Sequence, residues 1–421
     1  MQKTAQEDKI FWRLLPIEYI TWDKAHSIQQ EREELKIYKA KTITILSDLR
    51  LFTCWFKVYG CICYMDDHGY PHRCRILDED QAIPQLNLQR WKNFQEQVIA
   101  CEGTTLESRY GYFDSSLYWV KHCVVPPLNY GKIGEYNHVT KIDISSAYPY
   151  ELSKRLPTLN GCEVVEGYIS PNEQFPFAFY SDGNLAFIEA DGRYIDTMIL
   201  RNSRYYTIQQ QVMDYQKRRH SPYKQPTTPT TILCKATEGL TATANWYYNQ
   251  RTINPNSKQE INLSIGFMHK NKSPKFAHIA AVVLARCVNR MITMAEELEN
   301  RGNKVTLIAT DSIAWQWGNL MEMFQCHYGF ESEQPTTTKS LGCAYLELKS
   351  GMMLVRGPKA YQTYNNLTTT TITKWSGKPQ SETAAMSYGD IRGLEPQLTM
   401  VNTQTGATYL ADAKSAGWYA R

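Results

Sequence analysis

Apolar positions recur along the chain at two different spacings, and the order in which the spacing changes suggests an architecture. Residues 56–77 (FKVYGCICYMDDHGYPHRCRIL) alternate apolar and polar around Asp66-Asp67-His68-Gly69, the pattern of a hairpin. A charged helix is expected from Asp23 to Tyr38. Residues 129–200 carry short strands punctuated by Gly, Pro and Asn. Residues 201–300 shift to helical spacing in three segments: RYYTIQQQVMDYQKRR, SKQEINLSIGF and KFAHIAAVVLARCVNRMITMAEELENRG. The last ends at Gly302, a suitable C′ residue. Residues 303–365 return to strands, KVTLIATDSIAWQW and then AYLELKSGMMLVRGPKAYQTY. The threonine-rich stretches at 225–231 and 367–375 read as loops, or as a loop followed by a strand. A sheet interrupted by a helical excursion and then resumed predicts an α+β fold with an antiparallel sheet.

Composition narrows this reading. With 421 residues and 43% hydrophobic content, two or three lobes are expected. The net charge of +4 neither requires nor excludes nucleic acid, because a local basic groove suffices. The 28 tyrosines are mostly packing residues, although each also offers a flat face to a base. Eleven cysteines, an odd number, follow a polar N-terminus without the layout of a signal peptide. Reduced thiols in a cytoplasm-like compartment are expected. The longest apolar run, Phe276 to Ala285, is too short to span a bilayer, so it reads as a buried helix with no membrane partner.

Two carboxylates stand where rigid strands end. In KIDISSAYPYELSKRL, Val139, Lys141 and Asp143 share one strand face, and Pro149 sits where a helix can begin. In VTLIATDSIAWQW, apolar segments flank Thr310-Asp311-Ser312, as in a tight hairpin tipped by an acid. Two carboxylates on neighbouring strands offer the hard oxygen ligands that Mg²⁺ takes. Either Asp alone is more simply a turn former. Between them, Lys258, Asn262 and Gly266 fall on one helical face at i, i+4 and i+8. A lysine there can meet a triphosphate, an asparagine a base pair, and a glycine leaves room for close approach.

Taken in order, Asp143-Ile144-Ser145-Ser146-Ala147-Tyr148-Pro149, then Lys258, Asn262 and Gly266, then Thr310-Asp311-Ser312, resemble motifs A, B and C of B-family DNA polymerases. The family patterns are D-x-x-S-L-Y-P, K-x-x-x-N-S-x-Y-G and Y-x-D-T-D-S. Lys359-Ala360-Tyr361 resembles the K-x-Y motif found downstream. NYGKIGEYNHVTKIDISSAYP looks like the tyrosine–glycine linker of the protein-primed enzymes of small phages and linear plasmids. The resemblance covers about residues 129–365.

It implies a right-hand polymerase with an antiparallel-sheet palm, helical fingers and a small thumb. The implied regions are an N-terminal region (1–128), a first palm segment (129–200), fingers (201–300), a second palm segment (301–350) and a thumb-like region (351–421). Asp143 and Asp311 would bind two Mg²⁺ ions, replaceable by Mn²⁺, with the Ile144 carbonyl as a third ligand. Ser146, Ala147, Tyr148, Arg251, Lys258, Asn262 and Gly266 would surround the incoming nucleotide. Tyr148 would exclude a 2′-hydroxyl, and Pro255 separates Arg251 from the Lys258 helix. Thr310, Ser312, Lys359 and Tyr361 would hold the primer. Partners would be primer-template DNA and deoxynucleotides, with a terminal protein or a processivity factor.

The chain departs from the family at several points. Ala309 replaces the first acid of motif C, Leu307 its tyrosine, and Leu263 and Ile265 two motif B residues. Residues 1–128 lack a proofreading D-x-E pattern; Asp48 is the only nearby acid, so this region reads as a degenerate or replaced exonuclease domain. A four-residue DDHG loop would set Cys63 against His72 and Cys61 against Cys74. Zinc there is disfavoured, because a flat ladder does not converge tetrahedrally. Three functions remain open: templated DNA synthesis, priming or untemplated addition on the same fold, and a degenerate polymerase serving as a nucleic-acid-binding subunit.

Overall fold

The computed structural model describes residues 17–21, 56–58, 61–65, 71–77, 79–181, 187–190, 194–206, 226–251, 253–254, 256–270, 274–316, 340–357, 359–375, 383–392, 394, 397–401 and 408–412. The chain divides into two units, Met1–Arg90 and Trp91–Arg421. The helix expected at Asp23–Tyr38, Asp48, Pro255 and most of the helix expected at 204–219 lie outside the described residues.

In the first unit, β1 (Ile17–Thr21), β2 (Phe56–Val58), β3 (Cys61–Met65) and β4 (Pro71–Leu77) form one sheet in the order β1-β4-β3-β2. The β3–β4 hairpin foreseen from the alternation is present, but its register differs from a four-residue loop. Met65 pairs with Pro71, Tyr64 with His72, Cys63 with Arg73 and Ile62 with Cys74. A one-residue slip exchanges the two faces of a strand. Cys61 and Cys63 are therefore not register partners of Cys74 and His72, as a four-residue loop would have made them.

The second unit follows α1 (Glu79–Glu102), which runs across the boundary. In chain order come α2 (Leu106–Tyr110), a 3₁₀ helix (Ser115–His122), β5 (Asn129–Gly131), β6 (Gly134–Ile144), α3 (Ala147–Leu152), β7 (Leu156–Glu166), β8 (Phe177–Tyr180), β9 (Phe187–Glu189), β10 (Ile195–Asp196), α4 (Thr197–Asn202) and β11 (Thr230–Thr237). Then follow α5 (Thr241–Gln250), α6 (Asn256–Lys270), α7 (Ala277–Asn300), β12 (Lys304–Ala309), β13 (Ser312–Gln316), β14 (Ala344–Gly357), β15 (Ala360–Asn365), β16 (Thr370–Trp375), β17 (Gln397–Val401) and β18 (Thr408–Asp412). The fold is α+β, as the alternation of strand and helix patterns predicts. Its main sheet has seven strands in the order β16-β15-β14-β6-β13-β12-β5, all antiparallel. A second antiparallel sheet has the order β10-β9-β8-β11-β7.

Strand β11 is a departure from the sequence reading, which took residues 201–300 as mostly helical. Thr230, Thr231 and Ile232 are β-branched and suit a pleated surface. Pairing with β8 on one side and β7 on the other makes this segment a central strand. The preceding Thr- and Pro-rich residues mask that signal.

Helix α7 forms the centre of the core. It packs against α3, α6 and β12, and 18 of its 24 residues are buried. Its length and composition would suffice to cross a membrane, but 89% of its most apolar window is buried within the protein. Gly302, at φ +79°, ends it where the sequence indicated; its N–H bonds the Glu299 carbonyl at 2.9 Å. Two buried arginines lock α7 to its neighbours. Arg286 donates to Glu189 of β9 at 3.0 and 2.8 Å, and Arg290 lies 2.7 Å from Glu151 of α3.

Candidate active site

The site grows out of the pairing of β6 with β13. Ser312 stands opposite Asp143, and the Ile144 N–H donates to the Asp311 carbonyl at 2.8 Å. Backbone bonds thus hold Asp143, near the end of β6, beside Asp311 in the β12–β13 turn. Asp311 sits at a tight tip. Thr310 has φ +62°, its N–H bonds the Leu128 carbonyl at 2.8 Å, and the Asp311 N–H bonds the Ala309 carbonyl at 2.8 Å. A positive φ at a β-branched residue is strained, and such strain concentrates at functional sites.

On the other edge, β14 pairs with β6 and sets Tyr345 opposite Asp143. Paired residues share a sheet face, so Tyr345, Asp143, Ser312 and Ala309 form one row across four strands. Ala309 therefore occupies a position from which a carboxylate would have faced the same surface as Asp143.

The turn after Asp143 is equally constrained. Ser146 caps α3 at φ +56°, and its hydroxyl is buried without a hydrogen-bond partner. The Ser145 N–H bonds the Cys343 carbonyl at 2.9 Å, and the Gly342 N–H bonds the Ser145 carbonyl at 2.7 Å. Gly342 has φ +76°, and a Cβ there would lie 2.1 Å from the Tyr150 ring. Only glycine fits, so the loop before β14 is pinned to the helix after Asp143.

Electrostatics distinguish this site from the rest of the unit. Burial, with Asp311 and Glu347 nearby, pushes the Asp143 carboxyl up to about 7, against the pull of Lys141 and Lys258. Burial also raises Asp311, although Lys258 and Lys141 oppose the rise. Arg251 follows α5 and is half-buried; one terminal guanidinium nitrogen is buried without a hydrogen-bond partner. Burial lowers its pKa, opposed by Tyr248, Asp143 and Asp311. Lys258, on α6, is exposed.

The other residues singled out in the sequence divide. Tyr148 is half-buried on α3, where burial raises its hydroxyl pKa and Cys287, Asp311 and Tyr206 add to the rise. Ala147 is buried at the first turn of α3. Asn262 and Gly266 are half-buried on α6, and a Cβ on Gly266 would meet nothing within 4 Å, so the space before it is open. Ser312 is buried and bonds the Ala309 carbonyl at 3.3 Å. Lys359 is exposed at the β14–β15 turn with φ +57°. Tyr361 is buried in an apolar cluster with Tyr136, Val139 and Leu307. It is thus placed beneath the site, not on an open surface.

Two functional candidates were not singled out by sequence, Lys141 and Glu347. They form an ion pair across β6 and β14, the Tyr345 hydroxyl donates to Glu347 at 3.0 Å, and the Lys141 ammonium lies 5.9 Å from the Tyr361 ring centre. Burial disfavours the Lys141 ammonium, but Tyr361, Glu347 and Asp143 outweigh it and hold its pKa above the ordinary lysine value. The alternation of Lys141 with Asp143 was visible; the partner 206 residues away was not.

The donor set suits a hard divalent cation. Asp143 and Asp311 supply oxygen ligands, each is partly exposed, and both carboxyls are raised first by burial, with further negative charge from Glu347 close by.

No family model matches the chain, and no curated protein does. Solved structures do. Phi29 DNA polymerase complexed with single-stranded DNA matches with a TM-score of 0.52 and 11% identity, over 97% of this chain and 92% of that one. Phi29 DNA polymerase complexed with primer-template DNA and incoming nucleotide substrates matches with a TM-score of 0.51 and 12% identity, again over 97% and 92%. An orthorhombic crystal form of the same polymerase gives a TM-score of 0.49 and 13% identity over 77% of this chain; there the chain spans 66% of its neighbour's length. The likeness establishes a fold shared with phi29 DNA polymerase.

Proposed function

We propose that the chain is a DNA polymerase of the protein-primed B-family type, adding deoxynucleotides to a primer 3′-hydroxyl. The observation that carries this reading is the backbone register that sets Asp143, near the end of β6, beside Asp311 in the β12–β13 turn, with Lys258 and Arg251 within electrostatic reach of the acids. The fold shared with phi29 DNA polymerase supports it.

Asp143 and Asp311, with the Ile144 carbonyl, would hold divalent magnesium. The metal would supply charge stabilisation to both the attacking and the leaving oxygen of an in-line phosphoryl transfer. The chain's own residues do the rest. Arg251, with its unpartnered nitrogen, and Lys258 bind the triphosphate from the fingers side. The buried, unpartnered Ser146 hydroxyl is a further donor at the turn. Tyr148 beneath the sugar rejects a 2′-hydroxyl, Asn262 contacts the nascent pair, and the open space at Gly266 admits it. Lys359 at its exposed turn contacts primer phosphates, while Thr310 and Ser312 fix the hairpin tip beside the 3′ end. Tyr361 supports Lys141 from below.

A second reading, priming or untemplated addition on the same site, is favoured by one observation: Ala309 leaves the row beside Asp143 without a further acid. Primer extension with and without template, by the wild type and by Asp143→Asn and Asp311→Asn, tests both readings. Mg²⁺-dependent extension that needs a template and is lost in both variants is expected. Full activity in Asp311→Asn overturns the site, and template-independent addition selects the second reading.

A further inference from the structure

A buried ammonium on the same strand face as Asp143, one of the two carboxylates proposed to hold metal, calls for an explanation. Lys141 precedes Asp143 by two residues on the same strand face, ~7 Å along the strand. Its side chain is 7% exposed, whereas that of its partner Glu347 is 30% exposed. On β13 its cross-strand neighbour is Ala314, which carries no charge, and on β15 it meets the Tyr361 ring. Burying a lysine costs several kcal/mol unless its charge is used. A Tyr or Leu would fill this apolar cluster without that cost.

We propose that Lys141 is a positioning residue with a resident positive charge that limits divalent-metal binding: it engages the Glu347 carboxylate in an ion pair, so that this neighbouring acid is not free to join Asp143 and Asp311 as a ligand, and it competes electrostatically with the metal. This rests on the polymerase reading of the same site. Three facts support it. Glu347 lies on β14, the strand next to Asp143, so it is within reach as a third carboxylate if released. It is already held at both oxygens, by Lys141 and by the Tyr345 hydroxyl. Its partial exposure leaves it a route to the cleft, while the deeper Lys141 cannot leave. The device suits a site that lacks an acid at position 309: metal affinity is set by two carboxylates against a fixed ammonium, so the bound ion remains exchangeable.

The consequence has a sign. In Glu347→Gln, Lys141 loses its partner and turns its full charge on Asp143. Removing Lys141 in that background, as Lys141→Met/Glu347→Gln, relieves the site and leaves no unpaired buried charge to compromise folding. Mn²⁺ binding, measured by electron paramagnetic resonance and calorimetry without nucleotide or DNA, should weaken at least fivefold in Glu347→Gln and return to the wild-type value or tighter in the double variant. The single variant Lys141→Met should bind Mn²⁺ about tenfold more tightly than the wild type, while Lys141→Arg should match the wild type. If the double variant stays as weak as Glu347→Gln, Glu347 is itself a ligand and the proposal is overturned. Unchanged binding in Glu347→Gln also overturns it. Absence of Mn²⁺ binding in the wild type would overturn the metal site itself, and this proposal with it.

Discussion

Helix α7 and the strand row around Asp143 both carry buried charge in the same unit, but the charges are arranged to different ends. On α7, Arg286 lies 2% exposed against a Glu189 that is fully buried, joined by three short hydrogen bonds. Each charge is answered by one of opposite sign, and the pair ties the core helix to β9. Beside the strand row, Asp311 at the hairpin tip meets Asp143 with like charge. They remain partly exposed, and both carboxyls are raised above their ordinary range. Matched charge fixes a fold; unmatched charge held by backbone bonds makes a binding site.

The largest expected effect breaks the comparison on the site's side. Asp143→Asn or Asp311→Asn should lower Mg²⁺-dependent incorporation more than a thousandfold, ~4 kcal/mol in the barrier, with the unfolding midpoint held or raised. Primer-extension rates and a thermal melt on the same sample check this. On the other side, Arg286→Met removes the guanidinium that answers the buried Glu189, and should cost ~3–5 kcal/mol of stability in urea unfolding. Were Asp311→Asn to lose stability on that scale instead, the two regions would not differ in kind.

Tyr148→Ala should raise ribonucleotide over deoxyribonucleotide incorporation by at least about tenfold, ~1.4 kcal/mol, while leaving deoxynucleotide turnover measurable. An unchanged ratio would make Tyr148 a packing residue of α3.

The Asp143 shift adds a pH dependence. Its folded value, about 7, lies above the ordinary 3.8, so between these the folded chain holds a proton that the unfolded chain has released. That stabilisation is complete below about pH 4 and is lost as pH rises through 7. Without divalent metal, the wild type should therefore lose about 2 kcal/mol between pH 5 and 8 relative to Asp143→Asn, after allowance for its partial exposure. Equal slopes for the two proteins would show that burial and its acidic neighbours do not raise the Asp143 carboxyl. The smallest effect is expected at Ala309, which packs against the apolar cluster of Tyr136, Val139 and Leu307. Ala309→Asp should change the extension rate only modestly across a Mg²⁺ titration, because the surroundings have adapted to a small side chain. A gain of orders of magnitude would show that the site still awaits that acid.

The legible parts of the sequence were those with local causes. The hairpin tip at Asp311, the strand ending at Asp143 and the helix closed by Gly302 each depend on residues within a few positions, and each stands where alternation or capping indicated. Strand β11 was legible only as one of two alternatives for the threonine-rich stretch at 225–231, a loop or a loop followed by a strand, because its identity comes from β7 and β8. The β3–β4 register was missed by one residue because alternation does not fix loop length. The Lys141–Glu347 pair could not have been read, since β14 chooses its register along β6 through several irregular shifts. Arg251 was indicated through the resemblance to B-family polymerases; the structure adds the field of the two acids on it.

The most direct measurement is single-nucleotide incorporation on four primer-templates that differ only in the templating base. The wild type with Mg²⁺ should add the complementary deoxynucleotide in each case, and Asp143→Asn/Asp311→Asn should add none. Incorporation indifferent to the templating base, or persisting in the double variant, would contradict a templated polymerase centred on these two acids.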